Sequence, residues 1–290
     1  MQRPGARSGA RWASLASAAS WLAVAVLSGT LAGPAHADAD ADADADRFDT
    51  IVIDAGHGGD DHGARGSGGL IEKDLVLDIG LRVAKELRAA GLEVVLTRTG
   101  DRFVGLDERT SVANDAHADL FVSIHANGSR ARQARGIETF FAALEASDES
   151  AAELARAENE AFGPKGTLPM PSDDPLFAVL GDMIATEHLK DSQEFARLAQ
   201  HALVDERHRS RGVKQAPFVV LMGVQMPAAL VEIGFITNAR DERELGSAQQ
   251  RERIAVGLAG AIREFGRRFD ARRGDQSAAA GSGREAGGKF

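Results

Sequence analysis

Ile51-Val52-Ile53-Asp54-Ala55-Gly56-His57-Gly58-Gly59 decides the fold. A short β-branched run, buried on both faces if it reads as a strand, ends in a glycine-flanked histidine, and the glycines let the backbone turn at the end of a sheet. The same grammar recurs downstream. Leu120-Phe121-Val122-Ser123-Ile124-His125 is a second apolar strand ending in histidine, and its terminus is expected beside the first. Between them Leu75, Ile79, Val83 and Leu87 repeat at four-residue steps, the apolar stripe of a helix that stops at Gly91. Strands are expected near 50–54, 93–97, 119–125, 136–141, 217–221 and 228–233, and helices near 74–90, 107–116, 149–161, 175–187, 191–207 and 248–268. Short β-branched runs alternating with helices define an α/β domain with substantial parallel pairing.

The 290 residues are 43% hydrophobic and 27% charged, enough for one large domain, and contain no cysteine, which excludes disulfides, thiolate metal sites and thiol nucleophiles. The net charge is −9; residues 1–37 hold three Arg and no acid, leaving −12 on the remainder, which argues against nucleic acid as a partner. Arg3, Arg7 and Arg11, the apolar run centred on Trp21 to Leu27 and the A-x-A pattern Ala35-His36-Ala37 read as a secretory signal peptide over 1–37. A transmembrane anchor is the alternative, but the apolar core is short for a span. No later run is long enough to cross a bilayer. Residues 38–48 are an Ala-Asp linker, 49–270 the catalytic domain and 271–290 a tail without periodicity.

Three side chains at strand ends or in loops form a candidate metal set. They are His57, His125 and Glu72, which opens a helix after Gly66-Ser67-Gly68-Gly69. Two imidazoles and a carboxylate suit a catalytic zinc with its fourth position open. Singly, a histidine in a glycine turn reads as an ordinary loop residue and a glutamate at a helix start as a dipole partner; the combination is the specific signal. Glu232 lies in the apolar strand Ala228-Ala229-Leu230-Val231-Glu232-Ile233. Burial there would raise its pKa and suit it to general acid/base work, the alternative being a buried ion pair with an arginine such as Arg98.

Together IVIDAGHGGDDHGARG, LIEKD, LTRTGD, LDERTSVAN, LFVSIHAN, GIETFF, RGVKQAPFVVL and MPAALVEIGFITN, in this order over about residues 49–268, resemble the zinc-dependent N-acetylmuramoyl-L-alanine amidases of the type-3 family. The resemblance implies one Zn2+ held by His57, Glu72 and His125, Glu232 as catalytic acid/base, and a single domain built on a six-stranded mixed, largely parallel sheet flanked by helices. It implies cleavage of the amide between N-acetylmuramic acid and L-alanine of peptidoglycan. His62 departs from the family's usual proline and reads as a loop side chain rather than a ligand. The same metal set would also serve a peptidase acting within the stem peptide, and a wall-binding scaffold without turnover is a third reading.

An insert over about 146–188 is long for a connection. It reads either as surface helices that enlarge the core or as the regulatory insert of Gram-negative periplasmic cell-division amidases, which it resembles. In those enzymes a helix occludes the site until an activator with a LytM-type domain displaces it. On that reading Glu158, with Glu160 as the alternative, supplies a fourth oxygen ligand. The enzyme is then an autoinhibited periplasmic monomer of daughter-cell separation. The N-terminal wall-targeting domain usual in such proteins is not seen in this sequence, so the activator is expected to place it.

Overall fold

The computed structural model describes residues 47–161, 187–205 and 208–285, all within one compact unit. In chain order the elements are β1 (Thr50–Ala55), α1 (Glu72–Ala89), β2 (Glu93–Leu96), α2 (Leu106–Asp115), β3 (Leu120–Asn127), β4 (Ile137–Ala142) and α3 (Glu149–Ala161). Then follow α4 (Glu187–Leu203), β5 (Ser210–Ala216), α5 (Val219–Met222), β6 (Ala228–Phe235), α6 (Ala239–Gly246) and α7 (Ala248–Glu285). The six strands form one sheet in the order β2-β1-β3-β6-β4-β5, parallel throughout except where β4 meets β6. The expected sheet is therefore present.

Period-two alternation sorts the strand side chains into two layers. Ile51, Ile53, Leu120, Val122, Ile124, Val231 and Ile233 face one side, where α1, α4 and α7 cover them with Leu75, Ile79, Phe195, Leu258, Ile262 and Phe265. Val52, Phe121, Phe140 and Leu230 face the other, packed by Leu106 of α2, Ala151 and Ala155 of α3, and Phe218 and Leu221. Asp54, Ser123, His125, Glu138 and Glu232 share the parity of this second set, so the sheet delivers its buried polar groups to the face under α2, α3 and α5.

Three expectations need correction. The strand placed at 217–221 is instead β5 at 210–216, followed by the short helix at 219–222. Pro217 has no N–H for a ladder, and the apolar Phe218-Val219-Val220-Leu221 run is buried as a helical turn. The polar edge strand Ser-Arg-Gly-Val-Lys-Gln-Ala carries little apolar signal because only one neighbour pairs with it. The helix expected at 191–207 runs 187–203, four residues earlier. The backbone of α7 continues to Glu285, through most of the stretch read as a tail; Arg272 anchors its middle by reaching Asp191 at 2.8 Å and Glu194 at 2.7 Å on α4. The signal segment and the helix expected at 175–187, apart from Glu187, lie outside the described residues. Among the described residues no helix is long and apolar enough to cross a membrane.

Candidate metal centre

His57 leaves the end of β1 with φ +59°, a left-handed conformation that swings its imidazole back over the sheet edge. Two buried arginines hold that turn. Arg109, fully buried, donates to the carbonyls of Ala55 (2.8 Å) and His57 (2.9 Å) and pairs with Asp54 at 2.5 Å. Arg98 donates to Ala55 O at 2.9 Å and Gly56 O at 2.8 Å. The expected alternative for Arg98, an ion pair with Glu232, is not what the structure contains. Asp54 is further held by Thr97 and Ser123, each at 2.7 Å. Burial alone would raise the Asp54 pKa, but Arg109 and the two hydroxyls outweigh it and hold the carboxyl below its usual range.

Gly56 has a specific reason to be glycine: a Cβ there would lie 2.5 Å from His125 Nε2 and 2.8 Å from Nδ1. His125 occupies that space at the end of β3. Glu72, in the first turn of α1, accepts backbone N–H bonds from Ala64 (2.7 Å) on Oε2 and from Ala126 (2.9 Å) on Oε1. Its Oε1 then lies 3.0 Å from His57 Nε2 and 3.3 Å from His125 Nδ1. His57 Nδ1 is 2.8 Å from Asp61 Oδ2, an orienting carboxylate that leaves Nε2 turned inward.

The three expected ligands thus converge, with ligand atoms within 4.8 Å of one another. A second trio, His125, Glu158 and Glu232, meets the same limit and shares His125. His125 Nδ1, Glu158 Oε2 and both carboxylate oxygens of Glu232 are buried without a hydrogen-bond partner. His125 Nδ1 and Glu158 Oε2 lie 3.2 Å apart without hydrogen-bond geometry, and Glu232 lies within the 4.8 Å of the same trio, as donor atoms grouped round a common centre do. Glu232 stands beside His125 in the β3–β6 register and is fully buried. Nitrogen and oxygen donors in a buried pocket fit a zinc ion.

The charge balance points the same way. Burial disfavours the charged form of His57, but Glu72, Asp61 and Glu158 outweigh it and raise its pKa to about 10. Burial acts likewise on His125, where Glu158 and Glu72 raise it to about 10. The carboxyl group of Glu232 is pushed well above its ordinary value by burial, then by Glu72, Glu158 and Glu138. Without a cation at the centre, the neighbouring carboxylates favour the protonated form of both imidazoles, and burial together with those carboxylates favours the neutral form of Glu232.

Glu158 of α3 places Oε2 at 3.2 Å from His125 Nδ1 and 3.5 Å from His57 Nε2, whereas Glu160 is exposed. Asn159 fixes this end of α3, donating to Pro217 O and accepting from Val219 N, both at 2.9 Å. His62 turns its Nδ1 to Asp60 O at 2.9 Å and stays outside both trios. Sequence reasoning did not single out Asp61, Arg109, Asp54 or Asn159. Asp61 has a local signal, an acid four residues after His57; the other three become functional only through tertiary contacts.

Fold and site together define an α/β protein with a buried nitrogen/oxygen set that could hold a metal ion and a further carboxylate beside it. Residues 51–264 match the Amidase_3 family, N-acetylmuramoyl-L-alanine amidase, and the chain belongs to that family. It is 39% identical over 226 residues to the N-acetylmuramoyl-L-alanine amidase AmiA of Escherichia coli K12, covering 76% of this chain and 77% of that protein. Similarity to the AmiC amidase of Neisseria meningitidis is 34% over 76% of this chain but 53% of that longer protein. Among solved structures, the amidase AmiC2 of Nostoc punctiforme superposes with TM-score 0.55 at 30% identity, covering 75% of this chain and 97% of that one. An amidase from Clostridium difficile 630 gives 0.58 at 28%, over 76% and 97%. The chain is a peptidoglycan amidase by family.

Proposed function

We propose that the protein is a zinc-dependent N-acetylmuramoyl-L-alanine amidase held in check by α3. The observation that carries the reading is the convergence of His57, Glu72 and His125, with Glu232 beside His125, in one buried site. His57, Glu72 and His125 would hold the zinc, which would supply Lewis acidity toward the amide carbonyl and acidify water at that point. Glu232 takes the proton as water attacks the lactyl-amide carbonyl, and returns it to the departing L-alanine nitrogen. Asp61 keeps the His57 imidazole in the tautomer that presents Nε2. Arg98 and Arg109 keep the ligand turn from relaxing.

Glu158 lies where it occupies a ligand position and excludes water, and Asn159 pins the helix that carries it. The closed state needs an advantage of only about 1.4 kcal/mol for tenfold repression. Glu158→Ala is expected to raise basal hydrolysis of purified wall about tenfold or more; unchanged or lower activity in folded, zinc-loaded protein counts against the inhibitory role. Metal analysis should give one zinc per chain, with activity lost to a chelator and restored by Zn2+.

The biological setting follows the same reading. Residues 1–37 are a secretory signal peptide, 38–48 a linker, 49–270 the catalytic domain with its insert, and the mature monomer acts in the Gram-negative periplasm during cell separation. A LytM-domain protein that draws α3 away is the expected activator.

A further inference from the structure

Beside the metal centre runs a groove of about 630 Å³, lined by the loop after β3, by β4, β5 and α3, and containing Arg130, Arg156, Arg211, Glu138 and Phe235. We propose that this groove binds the free carboxylate on the second residue of the stem peptide, with Arg211 the residue that reads it. The proposal rests on the amidase reading and adds a specificity determinant to it.

Arg211 is the extra residue of a β-bulge. Ile137 pairs with Ser210 and Glu138 with Gly212, so Arg211 has no opposite number on β4, and Gly212 has φ +88°. A bulge of this kind re-aims a side chain. Here it lays the guanidinium over the Phe235 ring, 5.0 Å from its centroid, and brings Nε to 3.0 Å from Glu138 Oε2. Those two contacts fix the plane of the fork. Among the described residues neither terminal nitrogen of Arg211 has a hydrogen-bond partner, so both donors remain available to the groove that Arg211 lines. Glu138 does not compete for them. It is buried and already receives Asn127 Nδ2 at 2.8 Å and Lys214 Nζ at 3.0 Å besides Arg211. Arg130, on the loop after β3, lines the same groove, is exposed, and has no carboxylate partner among the described residues; Arg156 lines it from α3 and leaves with that helix.

The spacing suits a peptide already placed for cleavage. Glu138 stands directly opposite Glu232 across the β4–β6 pair, and Arg211 lies one strand further, so its backbone is about 10 Å from that of Glu232. In an extended stem peptide the carboxylate of the second residue lies about 7 Å from the amide under attack, two residues at roughly 3.5 Å each. The Arg211 side chain, turned back toward Glu138, covers the difference. Helix α3 spans the same interval, with Glu158 at the centre and Glu153 on the groove wall, about 7.5 Å apart along the axis. Of the two, Glu158 reaches the centre, while Glu153 is exposed and turned about 140° round the helix from it, so the Arg211 fork stays open in the closed state.

The test uses the full zinc-loaded chain carrying Glu158→Ala, so that α3 does not mask the centre, with two soluble muramoyl tripeptides. They differ only at the second residue, one with a free α-carboxylate and the other with the corresponding primary amide. The expected kcat/KM ratio is about tenfold or more in favour of the carboxylate, carried mainly by KM. Arg211→Lys keeps a cation for Glu138 but removes the fork, and is expected to collapse the ratio below about threefold. A parent ratio near one overturns the proposal, as does an equal loss on both substrates in Arg211→Lys, which is the signature of a merely structural role through Glu138. Turnover of neither substrate by the parent enzyme overturns the amidase reading, and this proposal with it.

Discussion

Replacing Gly56 by Ala isolates the metal centre from the rest of the fold. The new methyl would sit 2.5 Å from His125 Nε2, against about 3.4 Å for ordinary contact, so the ring or the backbone must yield by roughly 1 Å. The backbone is pinned on both sides: Gly56 N donates to Ile124 O at 3.1 Å and Gly56 O accepts from Arg98 at 2.8 Å. Gly56 is not among the residues of positive φ, so alanine brings no backbone strain. The imidazole is therefore the part that moves. Zinc ligands tolerate displacements of about 0.2 Å, and a 1 Å shift removes one ligand of three. Zinc affinity, measured by competition with a chelator of known affinity, is expected to fall at least 100-fold, about 2.7 kcal/mol. Overpacking alone costs about 1–3 kcal/mol of stability, so the metal-free variant should still unfold cooperatively. Zinc affinity within threefold of the parent, with an unchanged melting temperature, would refute the steric argument.

Further outcomes follow from the buried charges. Asp54→Asn removes the buried carboxylate that faces Arg109 at 2.5 Å and is expected to cost about 3–5 kcal/mol in denaturant unfolding, where a loss below 1 kcal/mol would show the pair to be dispensable. Because the Asp54 carboxyl is held below its ordinary value, its contribution is present above about pH 4 and is lost as pH falls through the folded-state value. In metal-free protein His57 and His125 are raised to about 10, so zinc must displace their protons. Apparent zinc affinity should therefore climb with pH by up to about two decades per unit below pH 10, and a flat profile from pH 6 to 8 would contradict protonated ligands. The same raised values stabilise the metal-free fold fully below about pH 6.5, and that stability declines as pH rises toward 10.

The sheet and the meeting of His57, Glu72 and His125 were legible because their signals are local. Ile51 to Asp54 and Leu120 to Ile124 are apolar runs closed by histidine, and Glu72 follows a glycine-rich turn. Alternation alone carries Glu232 to the face of His125. What escaped is tertiary or hidden at an edge. The β5 strand escaped because a polar edge strand, paired on one side, needs no apolar alternation, while the more apolar run after Pro217 is buried as a helical turn. Arg109 and Asp54 are 55 positions apart and look like surface charges until the fold buries both. The extension of α7 past residue 270 depends on Arg272 meeting α4, which no periodicity announces. Glu158 and its alternative Glu160 lie in one polar helix, and the rotation of α3 on the sheet turns the first inward and the second to solvent.

The central claim is the bond that is broken, and mass spectrometry of the soluble products reads it directly. Purified sacculi should be incubated with the zinc-loaded Glu158→Ala chain and, in parallel, with the same chain also carrying Glu232→Gln. Release of stem peptides with an intact, free L-alanine amino terminus by the first, and at least 100-fold less by the second, is the predicted result. Shorter peptides lacking L-alanine, or equal release by both chains, would contradict it.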